Sequence, residues 1–226
     1  MIEYIDSIDK QLLLFLNSMH STYFDTLMWY VSKTATWSLM LVILLYILFK
    51  DNWRQAIIIV IGIALTITLA DQISSGIIKG AVERLRPTHN PDIENLVHIV
   101  REYKGGLYGF VSSHAANTIG VAMFLSLLFK NKCVTITMFV WALFVSYSRI
   151  YLGVHYPGDI LGGICVGLFS GTVSFKLYIQ AKKWKKLNKN IIFTDITANN
   201  AKKITIGILS NLLITVGVSA IICFLA

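Results

Sequence analysis

Apolar runs long enough to cross a bilayer alternate with short polar joints along this chain, and the departures from that rhythm carry its chemistry. Thr26 to Phe49 is the first such run, with Trp29, Tyr30 and Trp37 towards its start and Lys50 and Arg54 just past its end. Ala56 to Lys79 makes a second, Ser113 to Phe129 a third, Cys133 to Tyr147 a fourth and Asp159 to Ile179 a fifth, and Ile204 to Ala226 closes the chain. Ahead of them, Ile5, Ile8, Leu12, Phe15, Leu16 and Met19 recur at helical spacing with Asp6, Asp9, Lys10 and Asn17 between them. That stretch is too polar to span, and predicts an interfacial amphipathic helix over residues 1–20. The pattern thus predicts an all-α fold, a polytopic membrane helix bundle of five to six transmembrane helices behind an N-terminal interfacial helix. Gly162, Gly163, Gly167 and Gly171 give the fifth run a small-residue series that lets another helix approach closely.

Composition agrees with this. Only 14% of the 226 residues are charged and 55% are hydrophobic, where a soluble domain carries about a quarter charged residues. The formal net charge of +8 does not point to nucleic acid, because many of the basic residues lie in one run between apolar segments, Lys182 to Lys203. By the positive-inside rule that run, with Lys50 to Arg54 and Lys130 to Lys132, marks the cytoplasmic side. Residues 181–203 are then a basic cytoplasmic loop, residues 84–112 a long outer loop, and both termini lie outside. The N-terminus has no basic region followed by a small-residue cleavage site, so no cleaved leader is expected. Cys133, Cys165 and Cys223 sit in apolar runs without metal-ligand spacing and read as small core residues.

This topology brings three polar clusters to one membrane depth. KGAVERLRP places Lys79 and Arg86 seven apart, with Pro87 ending the helix. Asp71, Ser75 and Lys79 form a polar stripe on that helix, and Asp71 reads as a structural partner for buried donors. VSSHAANT sets Ser112, Ser113 and His114 at a helix start, where free N–H groups and the positive dipole end suit an anion. SRIYLGVHYPGD carries Arg149, a planar fork for phosphate or carboxylate. It also sets Asp159 four residues after His155, so that the carboxylate can fix the ring tautomer and make the other nitrogen a better nucleophile.

Three cations, an anion nest, two histidines and a carboxylate fit phosphoryl transfer, where catalysis is mostly positioning and charge stabilisation. His155, backed by Asp159, is the expected nucleophile and His114 the expected general acid. A metal-dependent hydrolase with His114, His155 and Asp159 as ligands is a second reading. Against it, three nearby cations would repel a divalent ion, and no metal or cofactor is expected. A lipid-binding or transport protein is a third, but it would need the cations and not both histidines. Arg84 and Glu83 read as a solvated pair at the loop start, and His89, His98, Arg101 and Lys104 as surface residues of the outer loop.

The three blocks resemble those of the type 2 phosphatidic acid phosphatase family, integral-membrane lipid phosphatases that share a fold with vanadium haloperoxidases. The family pattern is Lys-x6-Arg-Pro, Pro-Ser-Gly-His and Ser-Arg-x5-His-x3-Asp. Lys79, Arg86 and Pro87 match the first block, and Ser148, Arg149, His155 and Asp159 the third. In the second, Ser112 and His114 match, but Val111 stands for the proline and Ser113 for the glycine. The resemblance covers roughly Asp71 to Gly163, a catalytic core at 71–163 within a single phosphatase domain of 1–226. It implies a phosphohistidine on His155 oriented by Asp159, with His114 protonating the leaving group and later activating water. It also implies a phosphate bound by Lys79, Arg86, Arg149, Ser112 and the Ser113 backbone, without a metal. The expected substrate is a phosphate monoester or pyrophosphate of a membrane lipid, lipid A or undecaprenyl pyrophosphate ahead of phosphatidylglycerol phosphate or phosphatidate. The expected setting is a bacterial inner (cytoplasmic) membrane, with the site facing the periplasm.

Overall fold

The computed structural model describes residues 2–50, 52–187 and 198–225. α1 (Ile2–Asn17) exposes Tyr4, Ile5, Ile8, Leu12 and Phe15 and buries Leu13 and Asn17. Asn17 anchors its end by donating to the carbonyls of Tyr151 (2.7 Å) and His98 (3.1 Å) and accepting from the His98 N–H (2.7 Å). α2 (Thr22–Ser32) and α3 (Ser38–Phe49) divide the first predicted span, which bends by 73° at Lys33. The apolar run does not continue as one helix because side chains take the last carbonyls of α2. Thr36 Oγ1 donates to Tyr30 at 2.6 Å and Trp37 Nε1 to Val31 at 3.0 Å.

α4 (Trp53–Asp71) passes through a π-helical stretch (Gln72–Ile78) into α5 (Lys79–Val82). This helix stops before the predicted end at Pro87. Glu83 turns left-handed (φ 50°), and residues 84–86 then run extended against residues 107–109. The Arg86 N–H donates to Leu107 at 3.0 Å and the Gly109 N–H to Arg84 at 2.8 Å. Pairing within the long connection thus ends the helix early and turns Arg84 and Arg86 away from its axis.

α6 (Ser113–Phe129), apolar but only 17 residues long, lies in the middle of the bundle with Ala115, Ala116, Ile119, Ala122, Phe124 and Leu125 buried. α7 (Lys132–Tyr151) runs beyond the predicted end at Tyr147, so Ser148 and Arg149 are helical and buried. α8 (Pro157–Leu187) opens with a proline at its first position, where no N–H is needed. It crosses α6 on glycine: a Cβ at Gly163, Gly167 or Gly171 would stand 2.6, 2.6 or 2.5 Å from the backbone oxygens of Ser112, Ala116 and Gly120. Gly162 faces Phe110 and Val111 instead.

α9 (Ala198–Leu225) completes the bundle. The predicted basic loop at 181–203 is partly helical, since α8 reaches Leu187 and α9 begins at Ala198; residues 188–197 lie outside the described residues. Among the described residues four helices are long and apolar enough to cross a membrane, Trp53–Val82, Lys132–Tyr151, Pro157–Trp184 and Asn200–Leu225, and the bent pair makes up to five. Cys133 and Cys165 are exposed and not in the core. In a membrane bundle lipid is as apolar as the interior, so an apolar run does not report burial.

Candidate active site

The C-terminal turn of α7, the link into α8 and the first turn of α8 carry the third block, and its Ser148, Arg149, His155 and Asp159 are buried. Arg149 is 3% exposed, His155 1% and Asp159 0%. His155 Nδ1 lies 3.2 Å from Asp159 Oδ2, as the one-turn spacing predicts. The Tyr156 N–H donates to the same oxygen at 3.1 Å, and the Ser112 N–H donates to the Asp159 carbonyl at 3.0 Å, which ties the second block to the third. Gly109 packs so near that a Cβ there would stand 2.7 Å from Asp159 Oδ2. Burial first, and then the charges of Arg86, Arg149 and Lys79, hold the His155 pKa well below the imidazole range, while a hydrogen bond with the Gly109 backbone pulls the other way. The ring is therefore neutral, and an Nδ1–H facing Asp159 leaves a lone pair on Nε2.

Lys79 Nζ donates to the Ser113 hydroxyl at 2.9 Å. Ser75 Oγ lies 2.7 Å from the same hydroxyl and Ser74 Oγ donates to it at 3.2 Å. The wider π-helical turn is what brings both adjacent serines to one partner. Ser113, standing where the family has glycine, thus turns its side chain to the helix that carries Lys79. Asp71 accepts from Ser75 at 3.3 Å, an exposed donor and not the buried one expected of it.

Arg86 Nε donates to the Tyr108 carbonyl at 3.1 Å, and Arg149 donates from Nη1 to Ser32 Oγ and from Nη2 to the Tyr103 hydroxyl at 3.3 Å. Among the described residues, Arg86 Nη1 and Arg149 Nε are buried without a hydrogen-bond partner. Burial, then the Arg149 charge, works against the Arg86 cation. Two such guanidiniums with unpaired N–H groups make a site for an anion. The Ser112 hydroxyl caps α6, accepting from the Ala115 N–H at 3.5 Å, a contact that leaves its O–H to donate.

Arg84 was missed by the sequence reading. It does not pair with exposed Glu83 in solvent, but reaches Asp159 Oδ1 at 3.0 Å together with Asp6 and Asp9 of α1. Tyr103 and Ser32, which hold Arg149, were also missed. Arg84 stands two residues before Arg86, a spacing that would have pointed to it only had the segment been read as extended and not as helix up to Pro87; nothing local singled out the other two.

His114, on the first turn of α6, lies in the field of the Arg149, Arg86 and Lys79 cations. Two cavities meet at it. One, about 130 Å³, is lined by Trp29, Lys33, Tyr103 and Arg149. The other, about 580 Å³, is apolar and runs among α3, α4, α6, α7 and α9 past Leu44, Ile63, Val121 and Ile208. Asn117 Oδ1, buried and without a partner among the described residues, belongs to a residue lining the larger one.

A family model for the PAP2 superfamily matches residues 55–183, a range that holds all three blocks. The chain belongs to the PAP2 superfamily. This PAP2 chain is a multi-pass membrane phosphatase, and its curated relatives are of similar length. The lipid A 4'-phosphatase of Bacteroides thetaiotaomicron is 45% identical over 174 residues, 76% of this chain and 77% of that protein. The lipid A 4'-phosphatase of Porphyromonas gingivalis is 39% identical over 185 residues, 81% of this chain and 78% of that one. The crystal structure of a PAP2 type phosphatidylglycerolphosphate phosphatase from Bacillus subtilis shares the fold, with a TM-score of 0.57 at 23% identity, covering 80% of this chain and 87% of that chain.

Proposed function

We propose that this PAP2 phosphatase removes a phosphate monoester from an acylated glycolipid of the lipid A class through a phosphohistidine on His155. The observation that carries the reading is the buried, neutral His155 held by Asp159 beside two buried arginines with unpaired N–H groups. His155 Nε2 attacks phosphorus, the bond from phosphorus to the leaving oxygen breaks, and His114 gives that oxygen its proton. His114 then takes a proton from water as the water attacks phosphorus; the phosphorus–nitrogen bond breaks and inorganic phosphate departs, restoring both rings. Lys79, Arg86, Arg149 and the backbone N–H groups at Ser113 neutralise the equatorial oxygens. Ser112 contributes by capping the helix start and through its N–H to the Asp159 carbonyl.

Two observations favour a glycolipid. The relatives at 45% and 39% identity are lipid A 4'-phosphatases, and both cavities open on the side of His114, where the leaving group must lie. The apolar one has room for acyl chains, with Asn117 as a polar contact one turn from His114. In this reading the site faces the periplasm from a bacterial inner membrane, because Lys50, Lys130 and Lys182 mark the opposite end of the bundle as cytoplasmic.

Phosphate release from purified lipid A, undecaprenyl pyrophosphate, phosphatidylglycerol phosphate and phosphatidate, with a chelator present, tests the proposal. Lipid A is expected to turn over with the highest kcat/KM, and His155→Ala to abolish release while still binding lipid. Release by His155→Ala at the wild-type rate would overturn the nucleophile, and a preference for undecaprenyl pyrophosphate would overturn the substrate class.

A further inference from the structure

Arg84 meets three carboxylates, and two of them come from α1. Its Nη2 lies 2.8 Å from Asp6 Oδ1; its Nη1 lies 2.8 Å from Asp9 Oδ2 and 3.0 Å from Asp159 Oδ1. The guanidinium stacks 4.0 Å over the Tyr156 ring. Burial works against its charge, but Asp159, Asp9 and Asp6 outweigh that and raise its pKa. Asp9 has a second role, accepting through Oδ1 from the Gly158 N–H at 2.8 Å. That N–H belongs to the first turn of α8, where no carbonyl of the helix can serve it. Glycine makes room for this contact, since a Cβ at Gly158 would stand 2.6 Å from Asp9 Oδ2. One carboxylate of α1 therefore touches both the helix that bears Asp159 and the arginine that grips it.

We infer that α1 positions the catalytic carboxylate: through Asp6 and Asp9 it restrains the Arg84 fork, so that Asp159 keeps Oδ2 for His155. This rests on the assignment of His155 and Asp159 above. An arginine fork fits both oxygens of a carboxylate at once. Here Asp6 holds Nη2 and Asp9 shares Nη1, so only one N–H group of Arg84 reaches Asp159, at Oδ1. Oδ2 is left for His155 Nδ1 and the Tyr156 N–H. Released from α1, the fork is free to close on both oxygens and compete with the imidazole. The opposite face of α1 leaves Tyr4, Ile5, Ile8, Leu12 and Phe15 exposed, an apolar face suited to the membrane interface. How α1 sits on the bilayer and how Asp159 holds the nucleophile are then one mechanical problem.

The test uses the full-length enzyme in lipid–detergent micelles with phosphate release as readout, comparing Asp9→Asn, Asp9→Glu, Arg84→Gln, the double variant Asp9→Asn/Arg84→Gln, and His155→Ala as control. Asp9→Asn is expected to lower kcat about tenfold with KM within about twofold, and Asp9→Glu to recover most of it. In the Arg84→Gln background Asp9→Asn should add no further loss, because the two act through one contact. Gly158→Ala, which crowds Asp9 without removing a charge, should reproduce the kcat loss if Asp9→Asn proves too unstable to purify. Wild-type kcat for Asp9→Asn, losses that multiply in the double variant, or an Arg84→Gln defect confined to KM would each overturn the inference while His155→Ala stays inactive. An active His155→Ala enzyme would overturn the underlying reading, and this inference with it.

Discussion

The Lys79 ammonium lies 2.9 Å from the Ser113 hydroxyl, so a position where the second block departs from its family pattern is the one that holds the first block's cation. A hydroxyl pulled in by Ser74, Ser75 and Lys79 together fixes where that charge stands before substrate arrives. A hydrogen bond to a charged group contributes about 1.5 kcal/mol. Ser113→Ala is therefore expected to raise KM for the lipid phosphate about tenfold while kcat changes by less than about twofold. Steady-state kinetics in mixed micelles decide it; a loss in kcat alone would mean that the pair matters only in the transition state.

Acid should reach this enzyme late. In the proposed mechanism the nucleophile is the neutral His155 ring, and burial with the charges of Arg86, Arg149 and Lys79 holds its pKa below the usual value of about 6.5. A lowered pKa extends the neutral form towards acid, so the acid limb of kcat/KM due to His155 lies below pH ~6.5. Removing a repelling cation must move it the other way: Arg86→Ala raises the His155 pKa and shifts the limb upward, along with a higher KM. A pH profile of both proteins, in which the limb stays or moves down, would contradict the assignment.

What was legible in the sequence followed from how local each signal is. Lys79, Arg86, Arg149, His155 and Asp159 could be read together because phosphoryl transfer demands those residue types, and because His155 and Asp159 stand one helical turn apart. Arg84 could not be assigned its partners from the chain, since Asp6 and Asp9 lie more than seventy residues away on a helix whose polar face reads equally well as solvated. The bend at Lys33 was hidden for a similar reason. Apolar content shows that a segment can enter a membrane, but the carbonyls of Tyr30 and Val31 were claimed by Thr36 and Trp37, which only packing decides. The π-helical stretch that gathers Ser74 and Ser75 on Ser113 leaves no mark in hydrophobic periodicity at all.

The bend itself supports the site. Trp37 is buried, packs edge-on against Trp141 with ring centroids 5.7 Å apart, and donates from Nε1 to the Val31 carbonyl. Trp37→Phe keeps an aromatic ring but leaves that carbonyl unpaired, at a cost of about 1–3 kcal/mol. Because Ser32, next in the chain, receives a hydrogen bond from Arg149, the variant is expected to unfold at lower temperature and also to bind lipid phosphate more weakly. Thermal unfolding and KM should move together; a destabilised protein with wild-type KM would separate the bend from the site.

The α6–α8 crossing sets how close the second and third blocks stand, and glycine sets the crossing. A Cβ at Gly167 would meet the Ala116 carbonyl at 2.6 Å and the Gly120 nitrogen at 2.9 Å. Both are backbone atoms of a buried helix and cannot swing aside as a side chain would. Gly167→Ala must push the helices apart, which costs about 1–3 kcal/mol of overpacking, more than the roughly 1 kcal/mol that alanine gains over glycine inside a helix. Among the described residues Gly217, in α9, has nothing within 4 Å of the same atom, so Gly217→Ala should show that gain undiminished. The pair therefore changes stability in opposite directions by thermal unfolding. Gly167→Ala should also lose activity, because the Ser112 N–H and the Asp159 carbonyl that it bonds ride on the two helices being separated.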